Sequence, residues 1–244
     1  FIQSLVDDNE YISKHYKTNL ESLDEISKQR LLYGNWEYDA TKDGLIHYDN
    51  IISLFEIKGM EGDRYISADI SRYGEDKTII CLWTGMHIDK IITIHKSSLT
   101  EVANTIKELQ RENDVYTRNI VIDEDGIGSG VVDMIPGCRG FINGSKCLNK
   151  ENYQNLKTQC YYYMSDYINK GKVGISTNDI KAKNNIIQEL EQVRSYNIDK
   201  DAKLQIIPKP KIKDIIGRSP DYADAIMMRF YFAIDANYGR YYVY

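Results

Sequence analysis

The chain has 244 residues, 42% hydrophobic and 27% charged, the balance of an ordinary globular domain with room for a sizeable core. Its formal net charge of −5 sets it apart from most nucleic-acid binders, although a cluster of metal-binding acids stays negative until its cations arrive. No run of about 18 apolar residues indicates a membrane span, and the four cysteines and four histidines form no C-x-x-C or H-x-x-x-H pair, so no zinc site is indicated.

The chain begins at Phe1, as expected of a piece of something longer. Residues 1–60 read as an approach segment, with Leu20, Leu23, Ile26, Leu31 and Leu32 at helical spacing and a stop at Gly34. Residues 61–244 read as the main domain. It opens with an alternating strand from Tyr65 to Ile70. A nearly continuous apolar strand follows from Thr78 to Trp83, and a third runs from Ile88 to Ile94 after a turn at Gly85-Met86. Ser98 and Glu101 have capping-box spacing, and Leu99, Val102, Ala103, Ile106 and Leu109 give the next helix one apolar face. A strand at 119–123 then leads into Gly126-Ile-Gly-Ser-Gly130 and a short helix from Val131 to Ile135. The intervening crossover sets that strand parallel to the first.

Helices are expected at 153–169 and 179–194, and a hairpin at 196–208 turning near Asp199-Lys-Asp201. Ser219 is placed to cap a last helix with Pro220 at its first position. Strands joined by helical crossovers make an α/β sheet, and in such sheets sites collect at the carboxyl ends of parallel strands.

Asp69 and Asp123 stand at two such ends, so the crossover brings them together. Asp221 and Asp224 are three apart and share a face of the last helix. Carboxylates of this kind suit Mg²⁺ or Mn²⁺, which prefer oxygen ligands. Two such ions activate water and stabilise a leaving oxygen in phosphodiester cleavage, without histidine or cysteine. Asp76 is placed to join as an outer ligand. Each acid also has an ordinary explanation. The helix dipole favours Asp221, a glycine turn favours Asp76, and Asp123 with its acidic neighbours precedes Gly126 in a possible turn. Asp69 is hardest to explain so, because an acid in an apolar strand is costly unless paired or metal-bound. Lys209, Lys211, Lys213 and Arg218 form a basic group suited to DNA phosphates or to a solvated loop, and Lys181 with Lys183 a smaller one.

Four stretches together resemble the nuclease domain of large terminase subunits, the DNA-packaging motors of tailed bacteriophages. Asp69-Ile-Ser-Arg-Tyr-Gly-Glu-Asp-Lys-Thr78 resembles its first-strand motif. Asp123-Glu-Asp-Gly-Ile-Gly-Ser-Gly130 resembles its Asp-x-x-Gly-x-Gly-x-Gly motif. Ser219-Pro-Asp-Tyr-Ala-Asp-Ala225 resembles its closing helix, and Arg30-Leu-Leu-Tyr-Gly-Asn-Trp36 the segment leading from the motor domain.

The resemblance implies a ribonuclease-H-like α/β fold, a mixed central sheet flanked by helices, in the group that also holds RuvC-type resolvases. It implies Asp69 and Asp123 as metal ligands with Asp224, Asp221 or both, two Mg²⁺ or Mn²⁺ ions, and a hairpin beside the DNA groove. The implied activity is endonuclease cutting of concatemeric double-stranded viral DNA in the host cytoplasm, transiently at the procapsid portal. The implied partners are an ATPase domain of the same full-length chain, a small terminase subunit and the portal. No G-x-x-x-x-G-K-[ST] occurs, so the chain is expected to be the nuclease portion without its ATPase. The rival readings are a junction resolvase or transposase-type nuclease of the same fold, a non-catalytic assembly domain, and an actin-like ATPase. The last would need a second phosphate loop and a duplicated domain.

Overall fold

The computed structural model describes residues 44–71, 77–196 and 202–238. Asp76, the helical reading of residues 1–40, the turn near Asp199 and the tyrosine-rich end from Tyr241 lie outside the described residues.

The centre is a mixed sheet of six strands among the described residues, in the order β5-β4-β1-β2-β3-β6. These are β1 (Arg64–Asp69), β2 (Thr78–Thr84), β3 (His87–Ile94), β4 (Ile120–Asp123), β5 (Arg139–Phe141) and β6 (Gly174–Ile175). β1, β2 and β3 pair antiparallel, while β4 lies parallel to β1 with Ile66, Ser67 and Ala68 opposite Ile120, Val121 and Ile122. The expected crossover is therefore present. This is the mixed sheet flanked by helices that the sequence leads one to expect. The short outer strands β5 and β6 are additions to it, too brief to show any period.

Side-chain alternation explains how the sheet carries a core on each face. Along β2, Ile79, Cys81 and Trp83 enter one core and Ile80 and Leu82 the other, so this apolar strand is covered on both sides. Each such isoleucine or leucine stabilises the fold by about 1.5–3 kcal/mol. One face is covered by α2 (Leu99–Glu112) and α3 (Ser129–Met134). The Ser98–Glu101 capping box holds the start of α2 as expected, and Val102, Ala103, Ile106 and Leu109 are its buried residues. The other face is covered by α4 (Leu156–Asn169), α5 (Ile180–Leu190), α7 (Asp221–Met228) and α8 (Phe230–Tyr238). Into this second core also pack Ile46, Ile51 and Leu54, the last two from α1 (Tyr48–Ser53) and the turn after it. The expected division at residue 60 thus follows a segment that already belongs to the main core. No described helix is long and apolar enough to cross a membrane.

Two local expectations need correction. The stretch 209–218 is not a loop: α6 (Lys209–Ile216) occupies most of it, ending at Gly217, whose φ of 73° is the left-handed geometry that glycine tolerates. The last-helix reading also shifts, because α7 begins at Asp221 with Pro220 as its cap residue and no side-chain cap. Ser219 gives its carbonyl oxygen to the Arg218 guanidinium instead. The expected hairpin is present in brief form, β7 (Ser195–Tyr196) pairing antiparallel with β8 (Gln205–Ile206).

Candidate metal and active site

β1 and β4 end side by side, and one residue beyond the Ala68–Ile122 pair each strand presents its aspartate. Asp69 is only 6% exposed, on the face of β1 that looks toward α7. Every residue of α7 is buried, Asp224 included at 4% exposure. Asp69, Asp123 and Asp224 therefore line one pocket, together with Asn143, Lys157, Lys209, Met227 and Met228. Three of the acids expected from the sequence converge here.

The loop after β4 is built by close approach. A Cβ on Gly128 would fall 1.8 Å from the Asp123 carbonyl oxygen, so only glycine lets the chain fold back this tightly. Asp123 Oδ1 accepts from its own loop at Asp125 N, 3.1 Å, and from Asn143 Nδ2, 3.3 Å. Asn143 also donates to Asp125 Oδ2 from Nδ2 at 2.7 Å and from its backbone at 3.0 Å. The motif's acids are thus braced from the segment that follows β5.

Asp224 has different partners. Lys157 Nζ stands 2.7 Å from Oδ1 and Lys209 Nζ 3.1 Å from Oδ2, while Tyr161 donates its hydroxyl to Oδ1 at 2.7 Å. Burial alone would push this carboxyl up, but Lys157 and Lys209 outweigh it and hold Asp224 at about 2. Asp69 goes the other way. Burial, then the charges of Asp224, Asp123 and Asp221, push it well above the usual carboxylate range, against the pull of Lys209. Burial also raises Asp123, partly offset by the Asp125 N–H and by a hydrogen bond from Asp69. Burial and mutual repulsion thus hold both Asp69 and Asp123 above the ordinary carboxylate range, the opposite of Asp224.

Asp221 is 5% exposed but turned elsewhere. Its Oδ2 accepts from Lys77 N at 2.9 Å, tying α7 to the start of β2, and its Oδ1 is 3.9 Å from Lys209 Nζ. It lines a neighbouring pocket with Lys77, Lys213, Gly217, Arg218, Ser219 and Tyr222. The two helical acids, equivalent in the sequence, thus have separate surroundings.

The basic group divides. Lys209 joins the acids, and three of them, Asp224, Asp69 and Asp221, raise its pKa against the effect of burial. Arg218 is committed to the buried carboxylate of Glu189. Lys211 donates to the Tyr196 hydroxyl at 2.7 Å and lies over its ring, and Lys213 lines the second pocket. A single phosphate-facing cluster of Lys209, Lys211, Lys213 and Arg218 is not what the fold builds, because two of the four neutralise buried acids.

Sequence reasoning missed Lys157, Tyr161, Asn143 and Glu189. Lys157 and Tyr161, four apart on α4, carried a faint signal as a lysine and a tyrosine one step off the apolar stripe of Leu156, Cys160 and Met164. Asn143 carried none.

Among the described residues, no three Asp, Glu, His or Cys side chains stand together closely enough to hold a metal ion as they are. The donor chemistry nonetheless fits a hard divalent cation. The pocket offers the carboxylates of Asp69, Asp123 and Asp224 beside the Asn143 amide, with no histidine or cysteine, and the Lys209 ammonium supplies positive charge among them.

No protein-family model and no curated protein sequence matches the chain. Solved structures do. The nuclease domain of the large terminase subunit gp2 of bacterial virus Sf6 is similar over 76% of this chain and 97% of its own, with TM-score 0.65 and 18% identity. The same domain carrying a K428A substitution has been solved with manganese. The large terminase nuclease of thermophilic phage G20c, solved with bound magnesium, is similar over 78% of this chain and 97% of its own, with TM-score 0.54 and 14% identity. The large terminase nuclease domain of Thermus phage P74-26 is similar over 77% and 94%, with TM-score 0.51 and 14% identity. At these identities the likeness establishes a shared fold.

Proposed function

We propose that this chain is the metal-dependent endonuclease portion of a tailed-phage large terminase, cutting concatemeric double-stranded DNA during genome packaging. The carrying observation is the convergence of Asp69, Asp123 and Asp224 on one pocket beside the parallel strand ends, in a fold shared with terminase nucleases solved with manganese or magnesium.

In this reading Asp69, Asp123 and Asp224 would hold two Mg²⁺ or Mn²⁺ ions, and Asp221 acts from outside by fixing α7 to the start of β2. When bound, such ions polarise a phosphodiester oxygen and acidify water. The chain's own residues do the rest. Asp69 stands at the end of β1 beside the other two acids, Asn143 keeps Asp123 turned inward, and Tyr161 fixes Asp224. Lys157 and Lys209 move their charge from the acids to the phosphate that enters. Lys211 and Lys213 on α6 steer the backbone, a contact that salt weakens. The ATPase domain of the full-length chain, the small subunit and the portal are the expected partners, met in the host cytoplasm at the procapsid.

The substrate is tested by offering long linear duplex and a four-way junction side by side, in Mn²⁺, with Asp123→Asn as control. Cutting of the linear duplex that disappears in Asp123→Asn supports this reading. Cutting confined to the junction would replace it with a resolvase.

A further inference from the structure

The start of α7 has a problem that its own sequence does not solve. The first backbone N–H groups of a helix have no partner within the helix, and Pro220 offers no side chain to cap them. Asp224 N reaches the Pro220 carbonyl at 2.9 Å, but Ala223 N, one residue earlier, does not have that recourse. Its partner comes from another helix: Glu189 Oε2, on α5, accepts from Ala223 N at 2.8 Å. The Glu189 side chain is 0% exposed. Burying a carboxylate there is costly unless it is paired and hydrogen-bonded.

The pairing is complete. Arg218 donates from Nη1 to Glu189 Oε1, and both carboxylate oxygens thus face N–H donors. Arg218 Nη1 also reaches Ser219 O at 3.3 Å, and Nη2 reaches Asn185 O at 3.2 Å and Gln188 Oε1 at 3.4 Å. The guanidinium therefore staples the residues entering α7 to α5, and the carboxylate caps α7 from outside. A negative charge at a helix N-terminus also suits the helix dipole. Burial pushes the Glu189 carboxyl up to about 8, against the pull of Arg218 and the Ala223 N–H. Ala223 lies between the two helical acids, so whatever holds its N–H holds them.

We propose that Glu189, paired with Arg218, is a positioning residue that caps α7 from α5 and so sets where Asp224 stands relative to Asp69 and Asp123. The inference rests on the metal-nuclease reading for its functional consequence, but not for its geometry. Glu189 is not among the residues lining the acid pocket, and its hydrogen bond to that side of the fold is made to α7.

The test uses the whole chain, with Mn²⁺ titrated by calorimetry and amide hydrogen exchange read at Ala223. Glu189→Gln keeps an acceptor for Ala223 without the charge, and Glu189→Ala keeps neither, so the losses should be graded. In Glu189→Ala, Mn²⁺ affinity should fall about 10–100-fold, the cost usual for outer partners of a metal site. Turnover on plasmid should fall with KM for DNA unchanged, and Ala223 should exchange faster. A folded Glu189→Ala chain that binds Mn²⁺ within twofold of wild type would overturn the proposal. Should the single variants not fold, Glu189→Met with Arg218→Met removes both charges at similar volume, and its Mn²⁺ affinity decides by the same limits. The wild-type chain decides without any variant: an Ala223 amide exchanging at the rate of a free peptide would overturn the cap. If wild type binds no Mn²⁺, the metal reading fails, and Ala223 exchange in Glu189→Ala still decides the capping claim.

Discussion

The ammonium of Lys209 lies 3.1 Å from Asp224 Oδ2, a contact between residues fifteen apart that brings α6 against α7 at the acid pocket. It gives a buried aspartate positive charge, and under the proposed metal reading it would compete with a divalent cation for that carboxylate. Replacing it by Lys209→Met should tighten Mn²⁺ binding while lowering metal-free stability. The side chain is 39% exposed, so solvent screening limits that loss to about 1 kcal/mol. Calorimetry with Mn²⁺ and a denaturant melt in EDTA check the two effects. Weaker Mn²⁺ binding in the variant would show the lysine to be a helper rather than a competitor.

Asp69 supplies the opposite signature. Its folded pKa is raised, first by burial, so the folded state holds its proton more tightly than the unfolded state. Its favourable contribution is present below the ordinary aspartate value of about 3.9 and is lost as pH rises through that value toward the folded one. Asp69→Asn should therefore raise the Tm of the metal-free chain at neutral pH while abolishing Mn²⁺ binding. Thermal melts in EDTA across pH 4–8 read the first effect. A Tm unchanged at neutral pH would mean that the burial of Asp69 is already compensated.

For Asp224 the sign reverses. Held at about 2 by Lys157 and Lys209 against burial, it contributes stability above the ordinary value that is lost as pH falls through the folded one. The contribution is about 2 kcal/mol, lost between about pH 4 and pH 2. Acid unfolding of Asp224→Asn should show a shallower fall over that window than wild type.

Gly128 tests the loop. A methyl group there would collide with the Asp123 carbonyl oxygen at 1.8 Å, so Gly128→Ala must shift the loop that orients Asp123. A loss of about 3 kcal/mol is expected, read by urea melts, with loss of cleavage. Gly126, with open space around its Cβ position but a φ of +64°, would show conformational strain without collision.

Much of this site was legible because its parts obey short periods. The alternation of β1 put Asp69 opposite Ile66, Ala68 and Ile70, and the α2 crossover made β4 parallel to β1, which sets Asp123 beside Asp69. Sequence could not separate Asp221 from Asp224, since a spacing of three gives both one face. Only the docking of α7 decides which of them meets Lys157 and which meets Lys77 N. Glu189 and Asn143 were invisible for a related reason: each matters through hydrogen bonds to segments distant in sequence. The basic residues near 209–218 misled because charge pattern alone does not show which cations already have buried partners.

The central claim is that the pocket of Asp69, Asp123 and Asp224 cuts phosphodiesters with divalent metal. Incubating the chain with supercoiled plasmid and Mn²⁺, beside Asp69→Ala and an EDTA control, tests it most directly. Nicking and linearisation by wild type, absent in the variant and in EDTA, is the expected result. A folded wild-type chain that leaves the plasmid supercoiled in Mn²⁺ and Mg²⁺, or an Asp69→Ala chain that cuts as well as wild type, would contradict it.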